Sequence, residues 1–465
     1  MAATRANEDP AFDVLVIGGG QAGIPLAREL AKQGKRLALA ERRHLGGSCV
    51  NFGCTPTKAV IASAKAAHLA HRAYEFGLYI PEVRVDFPAV LERAKGILTQ
   101  LRIGLREGVA ETHNLALIRG HARFEGRDRK HFRIRVGDQL VTAAQVILNT
   151  GTRTLIPQIA GLDGIEFLDA GNWLDRPALP RHLAIVGGGF VGLEMAQFYR
   201  RMGSQVTVIQ DAGQVAEQED EEISQALQHF LEAEDIAFRL NARVTKARRR
   251  KRGVALTIRQ RRRTSLLEAS HLFIAAGRRP NTDDLGLATI GLRTSKEGFI
   301  KTNNRLATTV RGVWAAGDIR GGPMFTHTSW DDYRVLLSQL GGDRSRTVDR
   351  IVPYAIYTDP QLGRVGLTEA QARRRARRIK VGRFEMQKNG KARELGEPGG
   401  LVKVIADART RRILGASVLA VEGAELIHLF ITLMNARAPY TAIRDAVHIH
   451  PTLSEAVQSA VTSLK

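Results

Sequence analysis

Val14-Leu15-Val16-Ile17-Gly18-Gly19-Gly20-Gln21-Ala22-Gly23 reads as a buried strand that runs into a glycine turn and opens a helix. The helical pattern ends near Gln33-Gly34, and a second apolar run, Arg36-Leu37-Ala38-Leu39-Ala40, stops at Glu41. Each residue type has a task. Gly18, Gly20 and Gly23 let backbone approach a pyrophosphate, the helix N-terminus offers amides and dipole, and the Glu41 carboxylate accepts from ribose hydroxyls. A lone glycine fingerprint is weak. Strand, glycines, helix, strand and terminal acid in that order predict a dinucleotide-binding βαβ unit.

The unit recurs. His182-Leu183-Ala184-Ile185-Val186 leads into Gly187-Gly188-Gly189-Phe190-Val191-Gly192, and Gln205-Val206-Thr207-Val208-Ile209 ends at Gln210. Gly18 to Glu41 and Gly187 to Gln210 are both separated by 23 positions. Two such units in one chain predict two dinucleotides, one held tightly and one exchanging.

Between them lies Gly46-Gly47-Ser48-Cys49-Val50-Asn51-Phe52-Gly53-Cys54-Thr55-Pro56-Thr57-Lys58, which holds both cysteines of the 465-residue chain. Core cysteines are usually scattered. A pair just after a dinucleotide unit points to a redox-active disulfide that exchanges electrons with a flavin. The thiolate is the reactive form, and a helix N-terminus favours it. The run from Thr55 through Lys58 to Ala67 is expected to begin such a helix, with Pro56 tolerated in its first turn.

Composition is that of an ordinary soluble protein, 44% hydrophobic and 25% charged, with material for about three domains. Residues Met1 to Asp13 lack the apolar core of a signal peptide, and no long apolar run predicts a membrane span. A cytoplasmic location is the expectation. The balance of 69 basic against 47 acidic residues gives a net charge of +22. Much of the excess sits in Arg248–Arg250 with Lys251 and Arg252, in Arg261–Arg263, and in Arg373–Arg375 with Arg377 and Arg378. The first two flank Val254-Ala255-Leu256-Thr257-Ile258, which reads as a meander strand between basic turns. Without interleaved aromatics they read as solvated turns, and nucleic-acid binding is not expected.

With a cysteine pair between two dinucleotide units, the chain resembles the pyridine nucleotide–disulfide oxidoreductases, among them dihydrolipoamide dehydrogenase, glutathione reductase and mercuric reductase. Further motifs stand in the family order: Asn149-Thr150-Gly151, Ala276-Gly277-Arg278-Arg279-Pro280-Asn281-Thr282, Val313-Trp314-Ala315-Ala316-Gly317-Asp318 and His448-Ile449-His450-Pro451-Thr452-Leu453-Ser454-Glu455. The resemblance implies an α/β fold with two Rossmann-like domains, for FAD and for NAD(P), plus a C-terminal α+β dimerisation domain. The FAD domain would comprise residues 1–150 and 282–348, the NAD(P) domain 151–281 and the dimerisation domain 349–465. Pro157, Pro177, Pro180 and Pro280 mark the linkers.

The resemblance also implies roles. Gly18, Gly20, Gly23 and Glu41 would hold the ADP part of FAD, and Asp318 beside Gly317 its ribityl hydroxyls. Gly47, Ser48, Lys58, Thr150 and Gly151 would complete that site. Gly187, Gly189, Gly192, Gln210 and Gly277 would serve NADH or NADPH. Cys54 would be the flavin-side thiol and Cys49 the thiol that meets substrate, while Lys58 and Glu194 would form an ion pair beneath the flavin. His450, oriented by Glu455, would be the acid–base catalyst reaching the disulfide of the other subunit of a homodimer. No resident metal site is implied.

The chain departs from mercuric reductases proper, which carry an adjacent C-terminal cysteine pair and a tyrosine where His450 stands. A small-molecule disulfide is therefore the expected substrate, with a metal ion (Hg²⁺ or Cu²⁺) or a reactive oxidant as the alternative, and a redox sensor or polyanion-binding protein that uses flavin only structurally third. NAD-specific members usually have an acid where Gln210 stands. Asp211 beside it would repel a 2′-phosphate, which favours NADH.

Overall fold

The computed structural model describes residues 11–375 and 378–465. Arg377 and most of the N-terminal segment considered above lie outside the described residues. The chain divides into two compact units: residues through Pro56 with Arg93–Leu155 and Arg278–Arg350, and Thr57–Glu92 with Ile156–Gly277 and Ile351–Lys465.

The first unit is built on a parallel sheet. The strand Ala11–Ile17 lies between Leu37–Glu41 and Gln139–Leu148, with Leu115–Arg119 beyond the former and Val313–Ala315 paired to the latter. An antiparallel extension, Phe132–Val136 and Ala122–Arg127, continues the same sheet. Val14, Leu15 and Val16 are all buried because both faces of the sheet are covered, as a parallel sheet requires. The helix Gly23–Lys32 buries Ile24, Leu26, Ala27, Leu30 and Ala31 at helical spacing against that sheet. Register places Ile17 beside Ala40 on one side and Leu148 on the other. Gly18, Glu41 and Asn149 therefore follow at the carboxyl ends of three adjacent strands, where open α/β sheets bind ligands.

The second unit repeats the scheme. Its parallel sheet runs Ile236–Arg239, Gln205–Ile209, His182–Val186, His271–Ile274 and Leu168–Asp169. A three-stranded meander follows, Ala242–Arg250, Gly253–Gln260 and Arg263–Ala269. The expected basic-turned strand at Val254–Ile258 is its centre. The C-terminal part is an antiparallel five-stranded sheet that includes Leu401–Asp407 and Ile413–Ala420. The helices Gly423–Asn435 and Ser454–Thr462 pack Ile427, Phe430, Val457 and Val461 onto Val404 and Val418.

Within this unit a buried lysine ties the helix Glu221–Ala233 to the C-terminal sheet. Lys403 Nζ lies 2.9 Å from Glu369 and 3.4 Å from Asp220, with Glu222 also in contact. Burial alone would raise the Glu369 pKa, but hydrogen bonds from Lys403 and Arg373 outweigh it and hold the group at about 2. A carboxylate depressed in this way stabilises the fold above its unfolded value, and that stabilisation is lost as pH falls from about 5 towards 2. Glu369→Gln is expected to lower the urea midpoint at pH 7 and to match the wild type more closely at pH 3. An equal gap at both pH values would contradict this.

Candidate functional site

Both glycine turns are built alike. Gly18 and Gly187 have φ of +106° and +114°, and a Cβ on either would lie 2.3 or 2.4 Å from the carbonyl oxygen of Asn149 or Ala275. A Cβ on Gly23 or Gly192 would lie 2.2 or 2.0 Å from the carbonyl of Gly18 or Gly187. Only glycine satisfies these approaches. The strand-end side chains then close each turn in the same way. Gly19 N donates to Glu41 Oε2 at 2.8 Å, and Gly188 N donates to Gln210 Oε1 at 2.8 Å. Gln210 thus keeps the bond of the acid it replaces and drops the charge.

A Cβ on Gly189 or Gly151 would meet nothing within 4 Å, and one on Gly47 would lie 2.9 Å from Gly20 Cα. These are backbone cradles that a side chain would fill, and they fit dinucleotides with a pyrophosphate against the amides.

In the first unit, Asn149 does work that the sequence reading did not assign. Its Oδ1 accepts from Gly23 N at 2.9 Å and its Nδ2 donates to Ala316 O at 2.9 Å. Thr150 Oγ1 donates to Asn281 O at 2.8 Å, and Asn281 N donates to Gly151 O at 3.0 Å. Asp318 accepts from Thr152 Oγ1 at 3.0 Å, with Arg278 Nε 3.7 Å away. The turn that carries Asp318 is pinned by fully buried Asp332. That carboxylate accepts from Gly317 N and Arg320 Nε at 2.8 Å and from Arg350 at 2.6 Å. Asp332→Ala would leave the largely buried Arg320 without a carboxylate and Arg350 with Asp331 alone. A loss of about 3–5 kcal/mol in urea unfolding is expected, with flavin released at lower urea than in the wild type. Retention of wild-type stability would exclude this role.

The one helix expected after the cysteines is joined by a second, and each cysteine belongs to one of them. Gly47–Asn51 is a short helix that carries Ser48 and Cys49, and Cys54 is the first residue of a longer helix, Cys54–His71. The expected helix therefore begins one residue earlier and runs four residues further. Cys54 Sγ lies 3.1 Å from Thr326 Oγ1, and Thr326 is the first residue of the helix Thr326–Gly341. Two helix N-termini meet at this sulfur, and both favour its thiolate.

The second unit carries the proposed ion pair. Lys58 Nζ is 2.7 Å from Glu194 Oε2, and Glu194 Oε1 accepts from Tyr357 N at 2.9 Å. Lys58 Nζ also sits 4.6 Å above the Tyr357 ring. Glu194 is buried in the helix Phe190–Arg201. Gly277, at φ +122°, follows the strand His271–Ile274.

In the same unit, His450 lies on an exposed segment and Glu455 in the helix Ser454–Thr462 that follows it. His450 Nδ1 is 3.0 Å from Glu455 Oε1, and Glu455 Oε2 accepts from Thr452 N at 2.7 Å. The Thr452 amide, then His450, hold the Glu455 carboxyl below its ordinary range. A carboxylate on Nδ1 leaves Nε2 facing outward. Val447 and Ile449, both apolar, are almost fully exposed beside it. His448 bonds instead to Ile443 O at 3.2 Å. Among the described residues no group of metal-ligating side chains is assembled, and no helix is long and apolar enough to cross a membrane.

Two glycine cradles, a helix-flanked cysteine pair and a carboxylate-oriented imidazole define a flavin- and nicotinamide-dependent thiol redox protein. Residues 12–332 match the family described as pyridine nucleotide-disulphide oxidoreductase, and residues 352–461 match its dimerisation domain. A dihydrolipoyl dehydrogenase of Cupriavidus necator is 33% identical, over 97% of this chain and 98% of its own. The solved HOCl-induced flavoprotein disulfide reductase RclA of Escherichia coli superposes with a TM-score of 0.89 at 32% identity, over 98% of this chain and all of its own. Its Cu(II) complex gives 0.88 at 31%, covering 97% and 99%. The chain belongs to the pyridine nucleotide-disulphide oxidoreductases. It is an NAD(P)H-dependent flavoprotein oxidoreductase, and its family uses FAD and NAD(H).

Proposed function

We propose that this protein reduces a small-molecule disulfide through Cys49 and Cys54, as a homodimer whose active sites are shared. The reading rests above all on Cys54, whose sulfur lies where the helices Cys54–His71 and Thr326–Gly341 begin. In this scheme residues 1–150 and 282–348 hold FAD through the cradle at Gly18, Gly20 and Gly23, with Glu41 at the ribose and Asp318 at the ribityl chain. Residues 151–281 hold the nicotinamide coenzyme at Gly187, Gly189 and Gly192. FAD supplies the passage of an electron pair from NAD(P)H to sulfur.

The chain's own groups manage the rest. Lys58 and Glu194 keep a compensated charge in place on the coenzyme side. The hydride equivalent and one proton open the Cys49–Cys54 disulfide to two thiols. Cys49 then attacks a sulfur of the substrate disulfide, a mixed disulfide forms and the first product thiolate leaves. Cys54 attacks Cys49, releasing the second thiolate and restoring the internal disulfide. His450, held by Glu455, carries a proton to each leaving thiolate. Residues 349–465 bring that histidine to the partner's cysteines, consistent with Val447 and Ile449 standing bare beside it.

NADH is the favoured reductant on the strength of Asp211, which follows Gln210 and faces solvent. Metal-ion reduction is the second reading, because a solved relative is a Cu(II) complex. An anaerobic titration with NADH and then NADPH, followed by reoxidation with lipoamide, glutathione disulfide, Hg²⁺ and Cu²⁺ in turn, tests both. Reoxidation by the metals and by no disulfide would overturn the first reading in favour of the second.

A further inference from the structure

The sequence reading sets the first two arginine clusters aside as solvated turns, but the register of the meander places Arg248 and Arg250 of the first cluster on one face with Arg243, Lys246 and Arg259, which belong to neither. Arg243 stands directly opposite Arg259, Lys246 opposite Thr257, Arg248 opposite Ala255 and Arg250 opposite Gly253. The register shift between Val244 and Lys246 inserts Thr245. It brings Arg243, three positions before Lys246, into phase with Lys246, Arg248 and Arg250. Arg259 shares their face from the central strand. The other face carries Val244, Ala247, Val254, Leu256 and Ile258, all buried in the core of this unit, with the exposed Arg249 at its end opposite Val254. Arg243, Lys246, Arg248, Arg250 and Arg259 are all exposed, although Ala255 opposite Arg248 is covered, and no slip can move these charges inward.

Five cations share this face with one carboxylate, Glu268, which lies 3.4 Å from Arg250. Among the described residues no carboxylate pairs with Arg243, Lys246, Arg248 or Arg259. Like charges placed opposite one another across strands destabilise a sheet. Folding gains nothing from Arg243 facing Arg259. We propose that this face docks the phosphate backbone of double-stranded nucleic acid.

The row from Arg243 to Arg250 matches six residues of the central strand and spans about 20 Å at strand rise, enough to follow several phosphates of one strand. The chemistry present is cationic only. No aromatic side chain stands on the face for bases to stack on, which excludes a single-strand reader. Leu266 is its one exposed large apolar residue, which gives a bilayer almost nothing to take up. Contacts of this kind position a protein on a duplex without reading its sequence. The meander also lies outside residues 352–461, which match the dimerisation domain, so docking and dimerisation use different parts of the chain.

Fluorescence anisotropy of the full-length flavoprotein with a labelled 20-base-pair duplex, from about 50 to 200 mM salt, tests the proposal. The wild type is expected to bind with a steep salt dependence. Arg243→Ala, Lys246→Ala, Arg248→Ala and Arg259→Ala together are expected to reduce the log–log salt slope by about 3 to 4. They are also expected to weaken binding at least about tenfold at the lower salt, with NADH-driven turnover unchanged. A variant with lysine at the same three arginine positions keeps the charge and is expected to bind like the wild type, which separates loss of charge from loss of fold. Equal salt slopes for the alanine variant and the wild type would overturn the proposal. Tighter, meander-dependent binding to phosphatidylserine vesicles than to the duplex would overturn it too.

Discussion

Cys49→Ser is expected to leave bound FAD and its reduction by NADH intact while disulfide turnover falls by about a thousandfold or more, because the attacking nucleophile is gone. Serine is nearly isosteric with cysteine, and Cys49 belongs to the short helix Gly47–Asn51, outside the Gly18–Gly23 cradle. The loss should therefore be chemical and not conformational. Rapid mixing with NADH separates the two half-reactions: flavin bleaching persists, and its reoxidation by a disulfide does not. Cys54→Ser should differ. The sulfur removed then is the one beside Thr326, so the visible spectrum of the reduced enzyme should change as well. Unaltered turnover in Cys49→Ser would take that residue out of the scheme.

His450→Ala carries the second large effect. A positioned acid–base group contributes about 10²- to 10⁴-fold, and a drop in that range is expected for disulfide turnover, with flavin reduction by NADH spared. Glu455→Gln is the informative companion. Glutamine keeps one oxygen to accept from Thr452 N, but its NH2 can meet His450 Nδ1 only as a donor, so the carboxylate's acceptor at Nδ1 is lost. A smaller loss of kcat than in His450→Ala is expected. If instead the two variants lose activity equally at every pH, Glu455 acts only by holding the loop.

The fold was legible because its signals are local and repeated. Strand, glycines, helix and terminal side chain lie within two dozen residues, and the backbone admits no other residue at Gly18, Gly23, Gly187 or Gly192. The His450–Glu455 pair was legible for the same reason, being five positions apart. What escaped is what acts across long loops. Asn149 reaches Gly23 over 126 positions, Tyr357 reaches Glu194 over 163, and Thr326 reaches Cys54 over 272. No periodicity encodes such contacts. Asp332 is one acid among 47 in the sequence, and only its burial with Arg320 and Arg350 shows what it does. The Gly47–Asn51 helix escaped because five residues are too few to show a period.

Gln210 makes shape and charge separable at the end of its strand. The turn needs only an oxygen there, and an amide provides it as well as an acid does. Selection for a different reductant could then act on that one side chain and its neighbour Asp211 without unfolding the crevice. The cellular currency of reducing power is, for this architecture, an adjustable trait and not a structural commitment.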